Sequence, residues 1–215
     1  MPETIVIILL EVLFFVGVIA MIYFSRRARE KAWRELAEST GLTYESGGFF
    51  GSSSVTGTYR GHSLTLDTFT RGAGKHRRIY TRIVLFVNNR DNAYLALYQE
   101  SVFSKVGKFF GMQDIQVGDE DLDRKFIIKS RPETFAVNLL LTGGLRTKLL
   151  EARSLNIELD GRELHFEQMG VSTNQDYLRS VFDLLSDVAA AIERMGGGAG
   201  FDSSASFDPA WGGTE

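Results

Sequence analysis

The side chains able to do chemistry fall into a few groups, and none makes a catalytic constellation. Glu11 is the one ionisable residue in the apolar run from Ile5 to Phe24. A carboxylate at bilayer depth is costly unless it is neutral, paired or wetted. Glu11 is therefore either a contact to a partner helix or a proton or ion site, or else a protonated or snorkelling group about two turns from the membrane boundary. Directly behind the run stand Arg26, Arg27, Arg29, Lys31 and Arg34, placed for a membrane surface or an acidic partner. A second basic group, Lys75, His76, Arg77 and Arg78, follows Gly72-Ala73-Gly74. It is no phosphate loop: the Ser or Thr after the lysine is missing, and no helix N-terminus follows to receive a phosphate. Lys75, Arg77 and Arg78 are candidates for lipid or partner contact, against the alternative of a solvated hairpin tip. Lys105 and Lys108 flank Val102, Phe103, Val106, Phe109 and Phe110 on one helical face. That pattern suits an interfacial helix and equally a core-packing one.

The acids of Asp119-Glu120-Asp121-Leu122-Asp123 alternate like the opening of a calcium loop. Arg124 stands where such a loop needs glycine, and Ser130 where it needs a bidentate Glu, so an EF-hand is excluded. An acidic, solvated turn is the expectation, with a weak surface cation site as the alternative. His62, His76 and His165 share no ligand spacing. Cysteine is absent, which removes disulfides, thiolate metal sites and a cysteine nucleophile. No nucleophile elbow, zinc motif or dinucleotide fingerprint occurs. No catalytic, cofactor-binding or metal residue is assigned, and no cofactor is expected. A net charge of −3 gives no electrostatic reason to expect nucleic acid as a partner.

The elements that must position these groups begin with the run itself. About twenty apolar residues make roughly 30 Å of helix, the thickness of a bilayer core. A cleaved signal would carry its positive charge before the apolar region, whereas here Glu3 precedes it and the arginines follow. Charge bias puts the N-terminus outside and the remainder in the cytoplasm of a single-pass cell-membrane protein. The organisation expected is an anchor over 1–24, a basic juxtamembrane helix over 25–41, a cytosolic domain over 42–195 and a flexible Gly/Ser-rich acidic tail over 196–215.

In the juxtamembrane helix Ala28, Ala32, Trp33, Leu36 and Ala37 share a face, and Gly41 is a C-cap. Strands are expected at 42–44, 54–59, 63–70, 79–87 and 93–98, the start of an antiparallel meander. A further strand is expected over Lys125–Lys129. Ser130, Pro132 and Glu133 look like a helix start with a capping box, for a helix broken near Gly143-Gly144. A hairpin turns at Asp160-Gly161. Ser172 with Gln175 caps a last helix whose stripe is Tyr177, Val181, Leu184, Leu185, Val188 and Ile192. The fold class is α+β: a transmembrane helix, then one domain with a mainly antiparallel sheet and helices near 131–152 and 174–195 packed on it.

The string Trp33, Leu36-Ala37, Gly41-Leu42, Tyr44 and Val55-Thr-Gly57-Thr-Tyr59-Arg60-Gly61, with the later Phe126-Ile-Ile-Lys-Ser130, resembles uncharacterised prokaryotic membrane-anchored proteins of domain-of-unknown-function type. The resemblance implies one anchor and one cytosolic α+β domain, and carries no catalytic residues. The function expected is a non-enzymatic binding or scaffold module at the cytoplasmic membrane surface, contacting lipid and a protein partner or a second copy. The alternatives are a domain for a lipid or other apolar ligand, and an enzyme whose site assembles only in space.

Overall fold

The computed structural model describes residues 2–48, 51–99, 113–142, 144–152 and 155–197. The 101–110 segment, with Lys105 and Lys108, and the tail beyond residue 197 lie outside the described residues. The chain opens with α1, a helix of 39 residues over Pro2–Thr40. It is the one described helix long and apolar enough to cross a membrane, and its apolar part is uncovered by protein. The span and the juxtamembrane helix are thus one rod, about 58 Å long at the α-helical rise. Its last two turns belong to the domain: Trp33 and Leu36 are fully buried, and Ala32 and Ala37 nearly so. Gly41 ends the helix at φ 72, and the Leu42 amide donates back to the Ala37 carbonyl at 2.9 Å. This is the left-handed glycine cap with its six-to-one bond.

The sheet has eight strands. They are β1 Thr43–Glu45, β2 Ser54–Tyr59, β3 His62–Arg71, β4 Arg78–Phe86, β5 Tyr94–Tyr98, β6 Ile127–Arg131, β7 Asn156–Asp160 and β8 Glu163–Met169. Their spatial order is β1-β2-β3-β4-β8-β7-β5-β6, and every neighbouring pair is antiparallel. The expected meander holds through β4 and then stops. The β7–β8 hairpin inserts between β4 and β5, so β5 pairs with β7 and β6 instead. Asn89 fixes this crossover. Its buried amide donates to Ala93 O at 2.8 Å and to Gly161 O at 2.7 Å, tying the β4–β5 link to the hairpin tip. Near the start of the sheet, Gly57 makes room for the chain leaving α1. A Cβ at Gly57 would come 2.9 Å from Leu42 Cδ2, and its φ is +149.

Helices cover one face of the sheet: α2 Glu120–Lys125, α3 Glu133–Leu140, α4 Leu145–Glu151 and α5 Gln175–Gly197. The core lies between them and Leu64, Leu66, Ile83, Leu85, Leu95, Leu97, Ile157, Leu159, Leu164 and Phe166. On α5 Leu178, Phe182, Leu185 and Ala189 are fully buried, so the apolar stripe is wider than its sequence spacing indicates.

Several local expectations are corrected. The acidic segment is a helix, α2, and the strand after it starts at Ile127, because Asp119 caps α2 by accepting from Asp121 N at 3.2 Å and Leu122 N at 3.1 Å. Ser130 is a strand residue whose hydroxyl donates to Pro132 O at 2.8 Å, and α3 starts without a side-chain cap. The cap of α5 is Asn174, whose Oδ1 accepts from Tyr177 N at 3.0 Å. Ser172 is occupied elsewhere: its carbonyl accepts from Trp33 Nε1 at 2.9 Å, and its amide donates to Thr81 Oγ1 at 2.9 Å.

Candidate functional site

The core-facing row of β3 reads Leu64, Leu66, Thr68, Thr70, and that of β4 reads Leu85, Ile83, Thr81, Ile79. The β3 row turns from aliphatic to hydroxyl toward one end of the sheet, and the β4 row carries one hydroxyl there, Thr81, before Ile79. That end faces the part of α1 just outside the span. Thr81 is buried and satisfied there, donating to Gly170 O at 2.8 Å. Ser52 and Thr68 share a hydroxyl–hydroxyl bond of 2.6 Å.

Between this hydroxyl-bearing end and α1 lies a groove of about 820 Å³, within the size range of ligand sites. Its α1 wall is Met21, Ile22, Ser25, Arg26, Ala28 and Arg29. The opposite wall is Gly51, Ser52, Thr68, Thr70, Ile79, Val171 and Thr173. The α1 wall continues the stripe that becomes core at Ala32, Trp33, Leu36 and Ala37, since residues three and four apart share a helical face. The domain thus closes on α1 over its last two turns and stands open one to two turns earlier.

Two of the predicted basic residues, Arg26 and Arg29, meet in this groove. Arg29 lies against Trp33, with its guanidinium carbon 5.9 Å from the ring centroid. Its Nε is buried with no hydrogen-bond partner among the described residues. The other predicted cations are placed differently. Arg27 donates to the Tyr23 hydroxyl at 3.1 Å on the exposed side of α1. Lys31 pairs loosely with Glu35 at 3.8 Å. Arg34 stacks over Tyr44 at 4.9 Å. Glu11 is exposed on the span.

The β3–β4 turn carries Lys75, Arg77 and Arg78, all exposed. It springs from the same end of the sheet, since Thr70 and Ile79 of the groove wall flank it. Arg78 Nη1 approaches the Met169 sulfur at 3.3 Å. Five large apolar side chains outside the span are exposed among the described residues, and Ile79, Met169 and Val171 are three of them. All three sit at this end, so apolar and basic groups are concentrated beside the end of the apolar part of α1.

On the outer sheet face Arg82 holds Asp67 through two bonds, of 2.9 and 2.6 Å. Arg71 holds Glu167 at 3.0 Å, and both guanidiniums lie over Phe69, at 5.1 and 5.2 Å. Phe69 stacks on Tyr80 at 5.4 Å. These arginines are taken up by carboxylates and rings and stiffen the sheet beside the groove. Farther along, burial together with Asp114 and Glu158 pushes the Tyr98 phenol up to about 12. Burial and the same Glu158 push Tyr94 up as well. Both stay neutral at physiological pH.

The remaining sequence candidates do not converge. His62 is paired with Glu193 at 3.4 Å and His165 with Glu163 at 3.0 Å. No cluster of three or more metal-ligating side chains occurs among the described residues. Asp119 and Asp121 both bind Arg146, and Asp123 accepts from the Val117 and Gly118 amides at 2.9 and 3.1 Å. The calcium-like spacing is thus a helix start with an arginine clamp.

No protein-family model matches the chain. No curated protein matches it at a significant level.

The groove's hydroxyl wall and the patch of Ile79, Met169 and Val171 escaped the sequence reading. A signal exists for the first: polarity rises along one face of β3 while the alternation is kept. The patch becomes visible only once β4 and β8 are known to be neighbours.

Proposed function

We propose that the chain is a single-pass, membrane-anchored binding module. Its N-terminus is outside, its domain is cytoplasmic, and the β3–β4 end of the sheet rests on the inner leaflet. The observation that carries this is the gathering of exposed Ile79, Met169 and Val171 with Lys75, Arg77 and Arg78 at the end of the domain beside Met21–Arg29. Apolar side chains ringed by cations are what an anionic membrane interface takes up. The continuous α1 supports the same reading, because a helix shared by span and core leaves no flexible linker between membrane and domain. Arg26 to Arg34 behind the span set the orientation by charge bias. The module acts by binding at that surface.

Reporter fusions after Glu215 in a bacterial host test the orientation. A reporter active only in the cytoplasm is expected to be active there, and a periplasm-dependent phosphatase silent. The opposite pattern contradicts the proposal.

A further inference from the structure

We infer that the groove between α1 and the hydroxyl-bearing end of the sheet is a binding site for one anionic glycerophospholipid of the inner leaflet, with Arg26 and Arg29 on its phosphate. The inference rests on the reading of the domain as seated on that leaflet, and adds which lipid chemistry it takes and where.

Depth comes first. If the span fills the hydrocarbon core up to Phe24, Ser25 to Arg29 climb about 7 Å further at the helical rise. The headgroup layer on one side of a bilayer is about 5–8 Å thick, half the difference between whole-bilayer and core thickness. Arg26 and Arg29 therefore stand at phosphate level. Helical side chains lean toward the helix N-terminus, which here means toward the membrane.

Charge comes second. Arg26 and Arg29 line the groove, and no carboxylate does among the described residues. Guanidiniums match phosphate oxygens two bonds at a time. Arg29 has a buried Nε with no acceptor among the described residues, a donor that a phosphate oxygen satisfies. Ser25, Thr70 and Thr173 add hydroxyl donors suited to the remaining phosphate and glycerol oxygens.

Shape comes third. Part of the groove lining is apolar: Met21 and Ile22 on α1, and Ile79 and Val171 on the opposite wall. Met21 and Ile22 are themselves span residues, so the apolar wall runs without a break from the groove into the hydrocarbon core. A phospholipid spans that boundary: its chains lie on the apolar wall and its phosphate reaches the arginines. A free phosphate uses only the polar part, and an apolar small molecule brings no acceptor for Arg29 Nε.

The test uses the full chain in a mild non-ionic detergent, mixed with equimolar phosphatidylglycerol and phosphatidylcholine, with retained lipid read by native mass spectrometry. One phosphatidylglycerol per chain is expected, preferred over phosphatidylcholine by about tenfold, the order of one charge-assisted contact. The double substitution Arg26→Gln and Arg29→Gln is expected to abolish the preference. Arg90→Gln with Arg162→Gln, an equal charge change at the far end of the sheet, is expected to keep it. Since Arg29 also packs on Trp33, a second variant leaves the charges intact: Thr70→Phe fills the groove and is expected to lose the lipid while its melting temperature stays within a few degrees. Equal retention of the two lipids, retention by Thr70→Phe, or displacement by inorganic phosphate overturns the inference. So does a lipid-free dimer that seats a second copy in the groove. None of these outcomes touches the orientation, which the fusion experiment decides separately.

Discussion

Asp119 does two tasks with one carboxylate. It caps α2 through the Asp121 and Leu122 amides, and it receives Arg146 from α4. The hydrogen bonds from Arg146 are the first cause holding its carboxyl below the ordinary 3.8, and the backbone amides add to the effect. A carboxylate with a depressed folded pKa contributes stability that is complete above its unfolded value and is lost as pH falls through the folded one. The wild-type chain is therefore expected to lose stability below about pH 4. Asp119→Asn keeps an acceptor for the cap but removes the charge that Arg146 pairs with. Melting curves from neutral to acid pH are expected to show a lower neutral-pH stability and a shallower acid slope for this variant. Parallel profiles for the two proteins would contradict the role given to Arg146. Lys125 shows the converse economy at the other helix end. Its ammonium donates to Leu149 O at 3.2 Å, to Ala152 O at 2.8 Å and to Leu150 O, satisfying the last carbonyls of α4.

At the scale of elements, α1 decides what the domain is. Trp33 is fully buried and its indole N–H is bonded to Ser172 O, so the helix that carries the long apolar run also supplies part of the core. Trp33→Ala is expected to cost about 3–5 kcal/mol, the usual range for emptying a large aromatic site. Chemical unfolding in detergent measures it, and a loss below about 1 kcal/mol would mean that the helix merely leans on the sheet. Most elements were legible in the sequence, because alternation and helical spacing act over a few residues: the β2–β3 hairpin, the β7–β8 hairpin and the stripe of α5 all stand where their patterns put them. Caps were less legible. Ser130 and Ser172 had the right chemistry for capping, but the Ser130 hydroxyl turns to the Pro132 carbonyl two residues on, the backbone of Ser172 is held by Thr81 and Trp33, and Asn174 took the second role. The placement of β5 was not legible at all, since the tie from Asn89 to Gly161 spans 72 positions. Of the groove, the sequence marked Arg26 and Arg29 as members of a basic group of five. It could not separate them from Arg27, Lys31 and Arg34, whose partners are Tyr23, Glu35 and Tyr44, outside the groove.

Across the whole molecule, polarity is arranged along the rod. The uncovered apolar helix comes first, then the groove with its arginines, then the domain with the Arg60–Gly61 and Asp160–Gly161 turns at its far end. β3 links the two ends, and its ten residues make about 30 Å between the Arg60 turn and the β3–β4 turn. That distance allows a direct measurement, and the chain's lack of cysteine makes labelling simple. Single cysteines at Lys75→Cys and at Arg60→Cys, each carrying a fluorophore, would be compared in bilayers that hold a headgroup-attached quencher. The account predicts strong quenching at position 75 and little at position 60. Equal quenching at the two positions, or stronger quenching at position 60, would contradict a domain that rests its β3–β4 end on the membrane.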